Sequence, residues 1–354
     1  MDIRALIKEE VLAQKAYAVD DGSCRIKLDA NENPLAIPER LREKFAALLA
    51  SVPLNRYPEA GSIALISRFA KSFGVGADQV LIGNGSDELI QILCTALARP
   101  GARIMIPVPT FAMYRISGIN AGLRVAEVPL DSRFDLDLSA MRERAVSHPP
   151  ALTFLAYPNN PTGNCFSRER IEAILREASG IVVVDEAYFH FAQKTFLPLL
   201  GRQENLVVLR TLSKVGLAAM RIGMLIGPAA LVHELNKVRL PYNLNSLSQA
   251  AAGFYLDEEE AFLEQAAAIR RWRGELYSTM ETLPGIHLRP TDANFIFFSC
   301  DFDADRVYRQ LKARGILIKN FNAPGTMRGF LRVTVGTREE NCEFLEALRN
   351  TLIE

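Results

Sequence analysis

Cysteine is scarce in this chain of 354 residues: only Cys24, Cys94, Cys165, Cys300 and Cys342 occur. Their scatter fits no metal-ligand spacing. Their odd number, in a chain too long to need staples, argues against a disulfide framework and for a reducing compartment. Histidine is scarcer still. His148, His190, His233 and His287 form no cluster, which points to surface or helix-end roles, and no metal site is expected. Neither sign of charge is in excess, with Lys plus Arg and Asp plus Glu both at 41. That balance excludes a general nucleic-acid or acidic-membrane surface but leaves room for a local basic site. No apolar run approaches transmembrane length, and Met1-Asp2-Ile3-Arg4 lacks an apolar signal core, so a cytoplasmic protein is expected. Repeats and low-complexity segments are also missing.

What remains is an ordinary globular composition, 49% hydrophobic and 23% charged, in a chain long enough for two domains. Ile3, Leu6, Ile7 and Val11 fall at near-helical spacing and predict an amphipathic first helix. From about residue 45 to 245, helical and strand patterns alternate. Val80–Ile82, Arg103–Ile106, Leu152–Leu155, Ile181–Val184 and Leu206–Leu209 are the strand candidates. Their continuous apolar runs suggest strands covered on both faces, as in a parallel sheet, where ligands bind beyond the carboxyl ends. After Leu240-Pro241-Tyr242 a long helical stretch runs from about Leu247 into the 280s, ended by Leu283-Pro284-Gly285. Asn294–Phe298 and Leu331–Val335 then read as strands of a smaller α+β domain. The expected organisation is α/β: a large domain over residues 45–245, with 1–44 and 246–354 forming a small domain that the N-terminal segment rejoins.

The polar residues fall just beyond the strands. Gly83-Asn84-Gly85-Ser86-Asp87-Glu88 follows one strand and opens a helix, where backbone amides and the helix N-terminus suit a phosphate. An ordinary Ser or Asp N-cap is the competing reading. Glu88 stands where a dinucleotide fingerprint needs its third glycine, which weakens a Rossmann dehydrogenase. Asp185 ends an apolar run and is either an exposed strand-end acid or the partner of a buried cation such as a pyridinium. Asn160 and Tyr188 can donate to a ring oxygen beside it, or serve as structural hydrogen-bonders. Lys214 would by default be a surface lysine, but Thr211, Ser213 and Arg221 surround it with donors for a phosphate monoester. Arg332, in an alternating strand, must find an anion: a substrate group or a structural partner. An amine, a carboxylate and ring-oxygen donors, each beyond a strand, form the set that pyridoxal 5′-phosphate requires.

The ordered motifs extend through most of the chain: Asp29–Pro34, Asn55-Arg56-Tyr57-Pro58, Gly83–Glu88, Pro109–Tyr114, Asn159–Gly163, Asp185–Tyr188, Thr211–Lys214 and Leu331–Thr337. In this the chain resembles fold-type-I pyridoxal-phosphate aminotransferases, and within them the histidinol-phosphate aminotransferase family. The resemblance implies a large domain with a mostly parallel sheet flanked by helices, plus a smaller α+β domain. It implies Lys214 as the Schiff-base lysine and proton shuttle, Asp185 at the pyridine nitrogen, and Asn160 and Tyr188 at the ring oxygen. Tyr114 would stack on the ring. Gly85, Ser86, Thr211, Ser213 and Arg221 would hold the phosphate, with Tyr57 reaching it from the other subunit of a homodimer. Arg332 and Lys319 would bind the substrate's anionic groups, and Tyr17 would border its pocket.

The chain departs from that family in three places. The stretch from Lys214 to Arg221 is one residue shorter than usual, Lys319 replaces a frequent arginine, and the surroundings of Tyr17 and Pro34 differ. The implied reaction passes an amino group from L-histidinol phosphate to 2-oxoglutarate, with imidazole-acetol phosphate and L-glutamate as products. An aromatic-amino-acid aminotransferase and a phosphothreonine-type decarboxylase are the alternatives on the same scaffold. A regulator that has lost catalysis would lack the lysine or carry a fused DNA-binding segment, and this sequence shows neither.

Overall fold

The computed structural model describes residues 1–16 and 24–353. Among the described residues twelve strands run in chain order: β1 (Ile26–Leu28), β2 (Val80–Asn84), β3 (Arg103–Val108), β4 (Arg124–Pro129), β5 (Leu152–Ala156), β6 (Ile181–Asp185), β7 (Leu206–Thr211), β8 (Ile222–Ile226), β9 (Ile286–Leu288), β10 (Phe295–Cys300), β11 (Ile316–Asn320) and β12 (Phe330–Thr334). Seven form a sheet in the order β2-β8-β7-β6-β5-β3-β4. The pairs from β4 through β7 are parallel, and β8 alone runs against both of its neighbours. The continuous apolar runs meet this placement. In β6, Val182 and Val184 pack into one core while Val183 packs into the core on the opposite face, as the two-residue period of a strand requires.

Helices cover both faces. Ser86–Ala96, Ala112–Asn120 and Ala229–Asn236 lie on the Val183 side, bringing Leu89, Tyr114 and Leu235. Ile63–Phe73, Leu138–Ser147, Arg168–Glu177 and Ser246–Asp257 lie on the other, bringing Phe69, Met141, Ile171 and Phe254. The chain moves outward from β3 to β4, then restarts at β5 on the far side of β3 and proceeds toward β7. The order therefore reverses between β3 and β5, and a crevice opens beyond their carboxyl ends, the usual ligand position in such a sheet.

The second sheet has five strands in the order β1-β11-β12-β10-β9. β1 pairs in parallel with β11, and Ile26 and Leu28 join Phe295, Leu331 and Phe344 in a separate core. Two helical expectations need correction. The first segment is a 3-10 turn over Ile3–Leu6 and a four-residue helix over Glu9–Leu12, because Ile7 and Lys8 are extended between them. The long stretch after 245 is two helices, Ser246–Asp257 and Glu259–Glu281, broken at Glu258 (φ −121°, ψ 24°).

Candidate active site

A cavity of about 340 Å³ lies between the two sheets, lined by the loops beyond β2, β3, β5, β6 and β7 together with Lys319 and Arg332. Strand alternation decides which side chains reach it. Asp185 follows Val183 in phase, so it points to the same face as Tyr114, and Glu186 points to the other. The two neighbouring carboxylates then meet different fates. Glu186 accepts from Arg210 Nη2 at 2.9 Å, the Thr195 hydroxyl at 2.8 Å and Phe196 N at 2.7 Å. Asp185 is only 4% exposed. Among the described residues its donors are neutral: the Tyr114 hydroxyl at 2.7 Å and Ala187 N at 3.0 Å. Burial pushes its carboxyl up to about 6, against the pull of those two donors. A carboxylate so placed is short of one cation.

Lys214 stands across the cavity. Its Nζ donates to the Ala30 carbonyl at 3.2 Å and sits 6.0 Å from the Tyr188 ring. Burial first, and the nearby Arg332 second, hold the amine down at about 8, with Glu32 and Asp87 opposing. Near neutral pH a useful fraction is therefore an uncharged nucleophile. Labelling of Lys214 by an amine-reactive reagent, followed by peptide mass spectrometry on cofactor-free protein, should rise about tenfold per pH unit below pH 8 and level above it. The labelling of a free lysine side-chain amine, which titrates at about 10.4, would still be rising there.

The turn after β2 and the loop after β7 form a basic cradle. Gly85 (φ +81°) precedes the helix beginning at Ser86, and a Cβ on Gly85 would lie 2.5 Å from Arg221 Nη2. Gly223 is pressed from behind, since its Cβ would lie 2.4 Å from Ser86 N. Thr211 Oγ1 donates to the Ile222 carbonyl at 2.9 Å and is 2.9 Å from Ser213 Oγ. Arg221 reaches Ser213 Oγ at 3.4 Å and pairs with Asp87 at 2.8 Å. The shortened stretch from Lys214 closes through a 3-10 turn over Ala218–Met220, with Arg221 itself left-handed at φ 51°. The missing residue is thus absorbed without taking Arg221 out of the cradle.

On the opposite wall, Asn159 and Asn160 divide their work. Asn159 is buried and ties the loop together, donating to the Pro109 carbonyl at 2.9 Å and to Thr162 Oγ1 at 2.8 Å. Asn160 Oδ1 accepts from Arg332 Nη1. Because an arginine only donates, the amide oxygen must face it, leaving the amide nitrogen as the donor toward the cavity. Arg332 is 5% exposed, and its guanidinium also donates to the Asp29 carbonyl and lies over Phe295 and Phe321 at 5.1 and 5.3 Å. Lys319 and Arg332 are directly opposed across β11 and β12, so their side chains share a face.

The cavity thus gathers Ser86, Tyr114, Asn160, Asp185, Tyr188, Thr211, Ser213, Lys214, Arg221, Lys319 and Arg332, with Gly85 behind the cradle. Tyr57 is elsewhere: it is 82% exposed and stacks on Tyr242 with ring centroids 4.6 Å apart. Tyr17 lies outside the described residues. Tyr114 does line the wall, but its ring is buried face to face with Phe154 at 4.7 Å, and its hydroxyl is engaged by Asp185. Two participants carry no role in the sequence reading. Phe111, half-buried, is the aromatic side chain that opens onto the cavity from the loop after β3. Asn31, buried with φ 56°, donates to the Tyr188 hydroxyl at 2.9 Å and exchanges hydrogen bonds with Thr334. Asparagine tolerates the left-handed region, so its place among the polar residues of Asp29–Pro34 was the available signal.

Comparison with known proteins agrees with this fold. The family profile described as aminotransferase class I and II matches residues 25–348. A curated protein named histidinol-phosphate aminotransferase 2, from Nitrosococcus oceani, is 45% identical over 346 residues, covering 97% of this chain and 96% of its own. The solved histidinol-phosphate aminotransferase of Sinorhizobium meliloti, in complex with pyridoxal-5′-phosphate, superposes with a TM-score of 0.85 at 22% identity, over 93% of this chain and 91% of that one. An L-threonine-O-3-phosphate decarboxylase from Porphyromonas gingivalis gives 0.79 at 20% identity, over 93% and 100%, so the fold alone does not separate the two chemistries. With the profile spanning nearly its whole length, the chain belongs to the aminotransferase class I and II family.

Proposed function

We propose that this protein is the aminotransferase that carries the amino group of L-histidinol phosphate to 2-oxoglutarate, with pyridoxal 5′-phosphate as cofactor, in histidine biosynthesis. The observation that carries the reading is the meeting, in one cavity, of a half-buried amine at Lys214, a buried carboxylate without a cation at Asp185, and the paired cations Arg332 and Lys319. The extensive identity to a protein named for that reaction supports the substrate.

The residues fit the cofactor on two counts. Among the described residues Asp185 has no cationic partner, and a protonated ring nitrogen would supply one. The cradle of Gly85, Ser86, Thr211, Ser213 and Arg221 has backbone close by, no Cβ on Gly85 and a guanidinium over it, which suits a phosphate monoester. When bound, the cofactor supplies an electron sink for the substrate Cα–H bond. Lys214 would hold the cofactor through its amine, and the same amine would serve as base and then acid for the proton on the substrate carbon. Asp185 keeps the ring nitrogen protonated. The Asn160 amide and the Tyr188 hydroxyl donate to the ring oxygen. Phe111, which opens onto the cavity, would pack against the ring in place of Tyr114, whose ring is stacked on Phe154. Arg332 and Lys319 bind the anionic groups of the substrate.

The active form is a homodimer in which Tyr57 completes the partner's phosphate site. Support comes from the surface around it: Leu54, Tyr57, Ile63, Leu240 and Tyr242 are all exposed, and Arg239 links the two segments by donating to the Ala60 carbonyl at 3.1 Å. The proposed units are residues 45–245 and residues 1–44 with 246–354. The packing of Leu41 and Phe262 into the larger core favours drawing the borders within the helices Glu39–Ala50 and Glu259–Glu281. A cytoplasmic location fits a biosynthetic enzyme, and no described helix is long and apolar enough to cross a membrane.

The test is product analysis after incubation with histidinol phosphate and 2-oxoglutarate. Stoichiometric glutamate supports the reading, and carbon dioxide released from phosphothreonine would replace it with the decarboxylase. Lys319 decides the phosphate preference. Lys319→Ala should raise KM for histidinol phosphate roughly 10- to 100-fold, the effect of losing one charged hydrogen bond of about 1.5–3 kcal/mol. KM for phenylalanine should change far less, which steady-state kinetics on both substrates will check.

A further inference from the structure

Tyr114 is fully buried in the helix Ala112–Asn120, its ring within 5° of parallel to Phe154 and met edge-on by Phe111 at 5.6 Å. A phenylalanine would fill the same space, so packing does not call for the oxygen. That oxygen lies 2.7 Å from Asp185 Oδ2, while Oδ1 is fixed by Ala187 N at 3.0 Å. Each carboxylate oxygen thus has one neutral donor, held at opposite ends of the group by separate elements. We propose that Tyr114 is a positioning residue for Asp185, its hydroxyl fixing the orientation of the carboxylate and favouring its ionised form. The proposal rests on the reading of Asp185 as the partner of the cofactor's ring nitrogen.

The electrostatics around the carboxylate leave this donor with work to do. Asp87, from the helix after β2, and Glu186, next in sequence, both disfavour ionisation of Asp185, although Glu186 is itself paired with Arg210. Tyr188, on the same loop, and Tyr114 are the phenols nearby. Burial and the Asp185 charge hold the Tyr114 phenol well above its usual range, so it remains a donor at every relevant pH. An O–H donating to an ionised oxygen is a strong hydrogen bond, and it is lost when the carboxyl is protonated. Removing it should therefore raise the Asp185 carboxyl above its present value of about 6.

The sign of the effect follows from linkage. A carboxyl whose folded-state pKa exceeds its unfolded value makes the fold less stable as pH rises through that interval. A further upward shift of one unit changes the unfolding equilibrium by about tenfold above both values and not at all below them. The experiment is urea unfolding of cofactor-free protein at pH 5 and pH 8 for wild type, Tyr114→Phe, Asp185→Asn and the double variant. The expected result is a Tyr114→Phe loss about tenfold larger in the unfolding constant at pH 8 than at pH 5, with that difference absent in the Asp185→Asn background. A loss that is equal at the two pH values, or that persists without Asp185, would overturn the proposal and leave Tyr114 a packing residue. Binding of pyridoxal 5′-phosphate to the wild type, measured separately by absorbance, tests the cofactor reading independently, because the unfolding comparison needs no cofactor.

Discussion

Replacing Lys214 by alanine should lower the rate of amino transfer by about 10⁴-fold, the upper end of what a single positioned acid-base group contributes. In the proposed reaction the amine would act twice, first to hold the cofactor and then to move the proton. No other described amine lines the cavity except Lys319, which lies on β11 and is assigned to the substrate's anionic group. The fold should not suffer. Burial and Arg332 work against the ammonium form of Lys214, so its removal relieves a cost rather than breaking a satisfied pair. Stopped-flow measurement of the variant with histidinol phosphate, beside a thermal melt, checks both halves. A variant that retains transamination near the wild-type rate would remove Lys214 from the chemistry.

Asp185→Asn should be nearly as damaging to activity and harmless to stability. An amide cannot serve as counter-charge to a protonated ring nitrogen, and loss of a fixed electrostatic partner in a dry site costs about 10³-fold. Stability moves the other way. The Asp185 carboxyl lies at about 6 in the folded chain, above its unfolded value near 3.9. Its ionised form therefore destabilises the fold progressively as pH rises from about 4 to about 6, and the penalty is fully present at pH 8. Cofactor-free Asp185→Asn protein at pH 8 should unfold at a urea concentration no lower than wild type. That opposition between activity and stability is expected where a site holds a group for function against its solvation preference. An equal loss of stability at pH 5 and pH 8 would instead mark Asp185 as a structural acid.

Much of this site is legible in the sequence because a parallel sheet converts chain order into geometry. Asp185 directly ends an apolar run, and Thr211 follows another with only Arg210 between, so both emerge at the carboxyl edge, where the loop residues Asn160 and Lys214 join them. The strands of the seven-stranded sheet are legible for the same reason, except β4 and β8; in the smaller sheet the short β1 and β9, and β11, are not among the strand candidates. β4 is an edge strand that leaves Arg124 and Glu127 exposed, so no continuous apolar run marks it. β8 carries Gly223, which the sequence offers as a breaker but the fold needs for contact with the Gly85 turn.

Tertiary packing decides the rest. Phe111 and Tyr114 are three residues apart and both aromatic, so the spacing alone cannot tell which opens onto the cavity. The helix begins at Ala112, which leaves Phe111 extended at its cap and turns Tyr114 into the core. Asn31 contributes through a contact with Tyr188 that is 157 positions away in the chain. The separation of Tyr57 from the cavity of its own chain likewise becomes visible only in three dimensions.

The central claim, that this cavity performs amino transfer on a phosphorylated amine, is tested most directly by a single-turnover reaction. Purified protein loaded with pyridoxal 5′-phosphate would be mixed separately with histidinol phosphate, phenylalanine and phosphothreonine while the absorbance of the bound cofactor is followed. Fast conversion with histidinol phosphate, and slow or no conversion with the other two, is the predicted result. Faster conversion with phenylalanine would contradict it, moving the enzyme to aromatic amino acids and showing that Lys319 does not act as the phosphate site.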